Sequence, residues 1–423
     1  MPDLSDKLKS LGVKVGARNL PPPTPQDTWS IARVMPGRVC ATSAGDTYLV
    51  EACYPSPLKP RTLTDNITIE PPGGISASLD IIASWAGDAR IQSSPLSAFA
   101  FLDIETTGLA GGTGTYAFLV GVARHEGDHF QLAQFFLRDP SEEPAHLLAV
   151  EEFLAPCEVL VTFNGKAFDA PLLATRYLTH GGRFPLANVA HLDLLHLARR
   201  LWRDRLPNRA LGSLEVEILG LPRTDNDIPG WMIPEMYFDY IHTGDARPLE
   251  NVFYHNAVDV ISMVSLLDHI AHLLDDPIHA QIDHALDLFA ITRLYDELGR
   301  WEEAIPLYHL AIERLEEDAP RQEAIRRLSL LHKRRGEWES ALALWQQAAE
   351  GQQLYACEEL AKYHEHYMRQ PHEALHWTLT ALEWLNAPSC PHSERIIWQP
   401  EFQHRLERLK RKTTGYICKD DAA

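Results

Sequence analysis

Residues 99–109 read FAFLDIETTGL, an apolar run interrupted by two acids and followed by a polar turn. The run is typical of a buried strand, an environment that excludes charge. Strand side chains alternate between two faces, so Asp103 and Glu105 point to the same side. Two like charges held this close repel each other unless a cation lies between them. The stretch therefore predicts a strand ending at a divalent-metal site, beside a turn made by Thr106, Thr107 and Gly108.

Two further acids also lie in or beside predicted apolar strands and helices. Asp169 belongs to VTFNGKAFDAPLL (161–173), at a predicted junction between a strand and a helix. Asp259 belongs to VFYHNAVDVISM (252–263), near the middle of a predicted apolar helix. An acid in such a setting is either a capped core residue or a metal ligand. His255 precedes Asp259 by one helical turn and so shares its face of the helix.

Size and composition indicate a multidomain globular protein of the cytoplasm. The chain has 423 residues, of which 45% are hydrophobic and 23% charged, so several cores are expected. No apolar run approaches the ~20 residues of a membrane span, and MPDLSDKLKS at the N-terminus is not typical of a signal peptide. The six cysteines form no CxxC pair, which favours a reducing cytoplasm without a membrane.

The net charge of −19 argues against a protein that coats nucleic acid through bulk electrostatics. A local basic groove remains open, with a solvated helix face as the equally weighted alternative. The residues that would form this groove are Arg176, Arg183, Arg199, Arg200, Arg203, Arg205, Arg209 and Arg223.

The chain divides into four predicted regions. Residues 1–95 are Pro-rich and contain a β-hairpin, GRVCATSAGDTYLVEA, with its turn at residues 44–46. Residues 96–276 alternate between strand and helix patterns. The predicted strands are 99–104, 117–123, 130–137, 158–163 and 189–192, and the main predicted helices are 145–154, 168–179, 193–202 and 248–274. This order predicts an α/β domain with a mixed five-stranded sheet flanked by helices.

A repeat begins near residue 280, where strand patterns stop. LYDELGRWEEAIPLYHLAIE (294–313) aligns with LLHKRRGEWESALALWQQAAE (330–350), and a weaker third copy contains Ala374 and Ala381. Small residues at fixed offsets allow paired helices to approach closely. These copies resemble tetratricopeptide repeats (TPR). They predict an all-α helical-repeat domain at 277–390, followed by a tail at 391–423, and a protein partner or a purely structural role.

Taken together, D-x-E in a first strand, N-x-x-x-F-D after a later strand and H-x-x-x-D in a final helix form an ordered set. This set resembles the DEDD exonucleases of the ribonuclease-H-like (DnaQ-like) superfamily. More narrowly, DIETTGLAGGTGTYAFLVGVAR (103–124) joined to a TPR-like tail resembles the YprB-type ribonuclease-H-like proteins of bacteria.

The resemblance implies a metal-dependent 3′–5′ exonuclease, with DNA a better candidate substrate than RNA and with DNA repair beside a helicase as its setting. Two Mg²⁺ or Mn²⁺ ions would be held by Asp103, Glu105, Asp169 and Asp259. Substrate would be bound by Thr106, Thr107, Gly108, Leu109, Asn164 and Phe168. An RNA-trimming nuclease and an inactive TPR scaffold are the alternatives.

The identity of the general base is open at this stage. In the histidine-type members of the superfamily the base lies five residues before the last acid, where this chain has Tyr254. In the tyrosine-type members it lies four before, where this chain has His255. His255 is the preferred candidate because it lies on the Asp259 face, and Tyr254 is the alternative. Asp193 is expected to tether local backbone or to shape the substrate groove.

Overall fold

The computed structural model describes residues 29–55, 61–62, 68–69, 75, 77–108, 114–221, 223–224 and 227–420. The predictions for Leu109 and for the Pro-rich stretches at 20–25 and 70–74 lie outside these ranges. The chain divides into two compact units. The first comprises Met1–Leu197 and Arg209–Ala271, and the second comprises Ala198–Asn208 and His272–Ala423.

A mixed sheet forms the centre of the first unit. The described strands are β1 (Arg38–Thr42), β2 (Gly45–Pro55), β3 (Arg61–Thr62), β4 (Thr68–Ile69), β5 (Phe99–Thr106), β6 (Ala117–Glu126), β7 (His129–Phe136), β8 (Val159–Thr162) and β9 (Ala190–Asp193). Their order in the main sheet is β1-β2-β7-β6-β5-β8-β9, and β3 and β4 pair separately. The β5–β8 and β8–β9 pairs are parallel, whereas the other pairs are antiparallel.

The predicted count of five strands is wrong, because the main sheet has seven strands within the described residues. The two additional strands are the hairpin β1–β2, which adds to the sheet along β7. Its register runs from Tyr48 opposite Phe136 to Pro55 opposite His129. The hairpin turns at Ser43 and Ala44, slightly before the predicted position.

Helices cover both faces of the sheet. They are α1 (Ile31–Val34), α2 (Asp80–Ala86), α3 (Arg90–Ser93), α4 (Glu143–Leu154), α5 (Asp169–Thr179), α6 (Leu194–Trp202), α7 (Leu211–Glu217), α8 (Ile233–Thr243) and α9 (Leu249–Asp275). On one face, Leu102 packs in a core with Leu147 of α4 and Leu173 of α5. On the other face, Phe118 stacks on Tyr237 of α8, with the ring centroids 4.1 Å apart. The helices α7 and α8 were not predicted.

Helix α9 is the one described helix that is long and apolar enough to cross a membrane by length and composition. Of its most apolar window, 78% is buried inside the protein. Val252 and Phe253 lie in the same core as Phe118 and Phe136. A core helix of a folded domain passes the same test, so this helix is weak evidence for a membrane span.

The second unit confirms the predicted helical C-terminal region. Its helices are α10 (Ala285–Glu297), α11 (Trp301–Arg314), α12 (Asp318–Arg335), α13 (Trp338–Glu350), α14 (Leu354–Lys362), α15 (Pro371–Asn386) and α16 (His392–Asp420). A π-helical turn, Tyr363–Tyr367, follows α14. The residues expected to form a tail from 391 onward are therefore mainly helical.

The aligned positions of the repeat share their surroundings. Ala304, Ala341 and Ala374 are fully buried, each in the first turn of its helix. Two residues before each of these helices the backbone is left-handed, with φ of 74° at Gly299, 75° at Gly336 and 57° at Arg369. The third copy thus keeps the backbone turn without the glycine that favours it. The assignment to tetratricopeptide repeats stays a prediction.

Candidate functional site

Three elements of the first unit carry the four predicted acids. Strand β5 carries Asp103 and Glu105 near its C-terminal end, where both side chains stay partly exposed. Helix α5 begins at Asp169, which is buried. Helix α9 carries Asp259 near its middle, also partly exposed. Strand β8 leads into α5 and is parallel to β5. Asp103, Glu105 and Asp169 therefore lie at the same edge of the sheet, where the C-terminal ends of these strands meet.

Electrostatic interactions link these carboxylates to each other. Burial raises the pKa of Asp103 well above its ordinary range, and the charges of Asp259, Glu105 and Asp169 raise it further. Burial also raises the pKa of Glu105 to about 8, with contributions from Asp259 and Asp169. Burial and the charge of Asp193 raise the pKa of Asp169 to about 7, and Asp259 adds to the effect. Repulsion between carboxylate charges thus contributes to the raised pKa values of Asp103, Glu105 and Asp169, and the carboxylate of Asp259 lies near enough to take part in it.

The carboxylate oxygens of these four acids are the kind of donor that a hard divalent cation prefers. As the side chains stand, no three His, Cys, Asp or Glu residues within the described ranges form a ready-made metal centre. Asp259 is instead paired with the guanidinium of Arg223. Asp103 accepts a hydrogen bond from Asn256. Asp103, Glu105, Asp169 and Asp259 would hold a cation only after these side chains adjust.

Asn256 links the long helix to the first acid. Its Nδ2 donates to Oδ2 of Asp103 over 2.9 Å and to the Asp103 carbonyl oxygen over 3.2 Å. Its Oδ1 accepts from Nε2 of Gln134 over 2.9 Å. Gly121, which is opposite Asp103 in the sheet, makes room for this side chain. A Cβ atom at Gly121 would lie 2.1 Å from Oδ1 of Asn256.

His255 is oriented by an acid that lies outside the predicted set. Its Nδ1 is 2.6 Å from Oδ1 of Asp227, and its Nε2 is 3.7 Å from Oδ2 of Asp259. Burial alone would lower the pKa of His255. The hydrogen bond to Asp227 and the charges of Asp259 and Glu105 outweigh burial and raise the pKa to about 9. Tyr254 is directed elsewhere, since its hydroxyl lies 2.8 Å from Oγ1 of Thr224.

Arg223 places a positive charge beside Asp259 and two neighbouring acids. Its guanidinium pairs with Glu215, with Asp227 at 3.2 Å and with Asp259. Burial alone would lower its pKa, but Glu215, Asp259 and Asp227 raise it instead. Arg223 and Asp227 lie in a loop without periodic pattern, and sequence reasoning therefore missed both roles.

The loop before α5 is fastened by Asp193, as expected from the sequence. The Asp193 carboxylate accepts backbone N–H groups of Asn164 at 2.8 Å, Lys166 at 3.0 Å and Leu195 at 3.1 Å. Asn164 is left-handed, with φ of 68°, a conformation that asparagine tolerates. A Cβ at Gly165 would lie 2.7 Å from Oδ2 of Asp169. Any larger residue at this position would therefore displace the Asp169 side chain.

The predicted substrate-binding residues that the structure describes lie at the end of β5 with its following turn and in the segment that leads into α5. Thr106 donates its hydroxyl to the carbonyl oxygen of Gly108 over 3.0 Å, and Thr107 accepts the N–H of Tyr116 over 2.9 Å. These bonds close the turn after β5, where the β5–β6 register shifts between Glu105 and Thr106. Phe168, partly exposed, occupies the N-cap position of α5 without a side-chain capping hydrogen bond.

The predicted basic groove is not formed by the arginines as a set. Arg176 is buried and forms a bidentate pair with Glu143, at 2.6 and 2.5 Å. Arg200, Arg203 and Arg205 belong to the second unit, and each pairs with an acid. Arg223 pairs with the acids described above. Five of the eight arginines of the predicted groove are therefore paired with an acid, which argues against a continuous basic surface built from this set.

Residues 100–271 match a family model described as RNase_H superfamily. Over 321 residues, the chain is 36% identical to the uncharacterised protein YprB of Bacillus subtilis (strain 168), and this match covers 74% of each chain. The chain belongs to the YprB family.

Among solved structures, the family B DNA polymerase of the hyperthermophilic archaeon Pyrobaculum calidifontis is similar at 17% identity with a TM-score of 0.32. The match covers 50% of this chain and 29% of the polymerase chain. For the YprB-family chain, superfamily membership suggests nuclease activity on nucleic acid. Nucleases of this superfamily are in general hydrolytic and typically use divalent metal ions.

Proposed function

We propose that the chain is a metal-dependent 3′–5′ exonuclease, with DNA ahead of RNA as its substrate. The observation that carries this proposal is that Asp103, Glu105, Asp169 and Asp259 come from three separate elements and lie close enough for their charges to interact. Clustered carboxylates with raised pKa values are typical of functional sites. The superfamily match over residues 100–271 supports the same reaction class.

The residues of the site have separable tasks in this proposal. The chemistry that bound Mg²⁺ or Mn²⁺ supplies is neutralisation of the phosphate, activation of water and stabilisation of the leaving oxygen. Asn256 fixes the Asp103 carboxylate against the sheet, and Asp193 fixes the loop that precedes Asp169. The turn from Thr106 to Leu109, with Asn164 and Phe168, is proposed to hold the terminal nucleotide.

His255 is proposed as the general base, oriented through Nδ1 by Asp227. A base must be neutral, whereas a pKa of about 9 keeps this imidazole protonated at neutral pH. The charges of Asp259 and Glu105 contribute to that raised value. Neutralising these carboxylates therefore lowers the pKa of His255 towards the range in which it accepts a proton. Tyr254 remains the alternative base.

We infer the domain organisation that the sequence predicts. Residues 96–276 form the catalytic domain, and residues 277–390 form TPR-like helical repeats. A protein partner such as a helicase, a role in DNA repair and a cytoplasmic location belong to this proposal. The free thiols of Cys40, Cys53, Cys157, Cys357 and Cys390 are in keeping with a reducing compartment.

The test is hydrolysis of end-labelled oligonucleotides. Single-stranded, duplex and flapped DNA, and RNA, are incubated with Mg²⁺ or Mn²⁺, and the products are resolved by length. We expect a ladder that shortens from the 3′ end, with rates about 1000-fold lower for Asp103→Asn and Asp259→Asn. Asp128→Asn is the control, since the Asp128 side chain is 97% exposed at a hairpin turn.

The outcomes separate the alternatives. Faster shortening of RNA than of DNA would move the substrate to RNA. Equal rates for Asp103→Asn and the unchanged chain would remove these acids from the reaction. If none of the substrates is hydrolysed under any of these conditions, the inactive scaffold becomes the better reading.

A further inference from the structure

A cavity of about 440 Å³ lies in the second unit, which contains none of the four acids of the candidate site. Its aromatic lining consists of Trp338, Trp345, Tyr363 and Tyr367. We call it the aromatic cavity. Its walls combine flat rings with positive charge, an arrangement that the proposed nuclease chemistry does not use.

The rings form a stacked platform that ends in solvent. Tyr363 and Tyr367 stack with their centroids 5.2 Å apart, and Trp338 lies 4.7 Å from Tyr367. Both tyrosines belong to the π-helical turn that follows α14. Such turns are rare and are frequently found at functional sites. The Tyr367 residue is 57% exposed, so its ring remains accessible to a further flat group.

A buried donor in the same cavity lacks an acceptor. Trp345 is fully buried, and its Nε1 has no hydrogen-bond partner among the described residues. Buried indole N–H groups normally find a partner. This N–H has almost no surface open to the cavity, so the exposed rings and the cations, not the indole N–H, form the candidate binding surface.

Positive charge exceeds negative charge around the cavity. Lys333, Lys362, Arg405 and Arg408 line it. These four cations, with Lys412, share three carboxylates, those of Glu358, Glu359 and Glu365. In a chain of net charge −19, a local excess of cations favours an anionic ligand.

We propose that the aromatic cavity binds single-stranded nucleic acid. A base stacks on the Tyr367 platform, and phosphates lie near Lys362 and Lys333. An acidic peptide would satisfy the cations but would leave the stacked rings without a flat partner. Stacking platforms beside cationic side chains are typical of sequence-tolerant single-strand binding. This site goes beyond the proposed function, because binding here requires neither hydrolysis nor a metal ion.

The experiment measures binding of a fluorescein-labelled 12-nucleotide oligo-dT to the full chain by anisotropy in excess EDTA. We expect Tyr367→Ala to weaken binding about tenfold. Tyr367→Phe retains the ring and should bind as the unchanged chain does. Leu379→Ala removes an exposed side chain of α15 and should also leave the affinity unchanged.

Photo-cross-linking locates the contact. An oligonucleotide with 5-bromodeoxyuridine should cross-link to the peptide that contains Tyr363–Tyr367, and Tyr367→Ala should remove this cross-link. Unchanged affinity of Tyr367→Ala, or cross-links confined to the first unit, would overturn the proposal. The proposal would also be overturned if Tyr367→Ala weakened the binding of a labelled 12-residue poly-Glu peptide but not the binding of oligo-dT. Because metal is absent throughout, a failure of the nuclease proposal leaves this measurement intact, and the reverse also holds.

Discussion

Asp103 owes its orientation to three polar or small residues that lie far apart in the sequence. Gln134 holds Asn256, Asn256 holds Asp103, and Gly121 leaves the space in which they meet. The D-x-E spacing predicted two acids on one face of a strand. It could not predict this support, because Gly121 and Asn256 matter only once β6 lies beside β5 and α9 packs across them.

The size of residue 121 tests this support. We expect Gly121→Ala to destabilise the protein by about 2 kcal/mol, because the new Cβ displaces Asn256 in a packed core. Urea unfolding followed by tryptophan fluorescence measures the change. Gly230→Ala is the matched control, because a Cβ at Gly230 meets no atom within 4 Å. Equal stability of the two variants would show that Asn256 does not occupy this space.

The base can be identified by comparing two neighbouring side chains. We expect His255→Ala to slow hydrolysis about 100-fold or more, as loss of a general base does. Tyr254→Phe should have a small effect, because its hydroxyl bonds Thr224. Single-turnover rates with saturating Mn²⁺ provide the measurement. A larger loss in Tyr254→Phe than in His255→Ala would transfer the role to Tyr254.

At the scale of elements, the strands near the site were predictable and the edge of the sheet was not. Strands β5 to β9 have strong apolar runs, so their positions followed from the sequence. The pairing of β2 with β7 depends on a contact between distant segments that no local pattern encodes. The short helices α7 and α8 were missed because each is flanked by proline or glycine.

Glu365 links two elements of the second unit. Its side chain is fully buried in the π-helical turn and pairs with Arg408 and Lys412 of α16, at 2.6 and 2.8 Å. Burial alone would raise the pKa of Glu365. The hydrogen bonds from Arg408 and Lys412 outweigh it and lower the pKa from 4.5 to about 2.

When folding lowers the pKa of a carboxyl group, the ionised group stabilises the folded state at pH values above its unfolded-state pKa. This stabilisation should be complete above pH 4.5 and should disappear as the pH falls towards 2. We expect Glu365→Gln to cost about 2 kcal/mol at pH 7, and less as the solution is acidified. Unfolding of the unchanged chain and the variant at pH 7, 4 and 3 measures the difference. Glu407→Gln, at an exposed pair with Lys410, should show neither effect. A cost that does not depend on pH would contradict the assignment.

At the scale of the whole molecule, the net charge of −19 argues against nucleic-acid binding through bulk electrostatics, and five of the eight arginines of the predicted groove are paired with acids. The arginines from Arg200 to Arg205 lie in the second unit beside residues after 272, as the 2.9 Å pair of Arg205 with Asp287 shows. Removing the C-terminal helices would therefore leave Arg205 without this partner. Point variants of the full chain test the site more cleanly than shortened chains do.

The proposed function depends most on one claim, that Asp103, Glu105, Asp169 and Asp259 together bind divalent cations. Titration of the full chain with Mn²⁺, followed by electron paramagnetic resonance of the free ion, counts the bound ions. We expect two ions per chain, and a loss of binding in Asp103→Asn and Asp259→Asn but not in Asp128→Asn. Absence of bound Mn²⁺ in the unchanged chain, or equal binding in all four proteins, would contradict the claim.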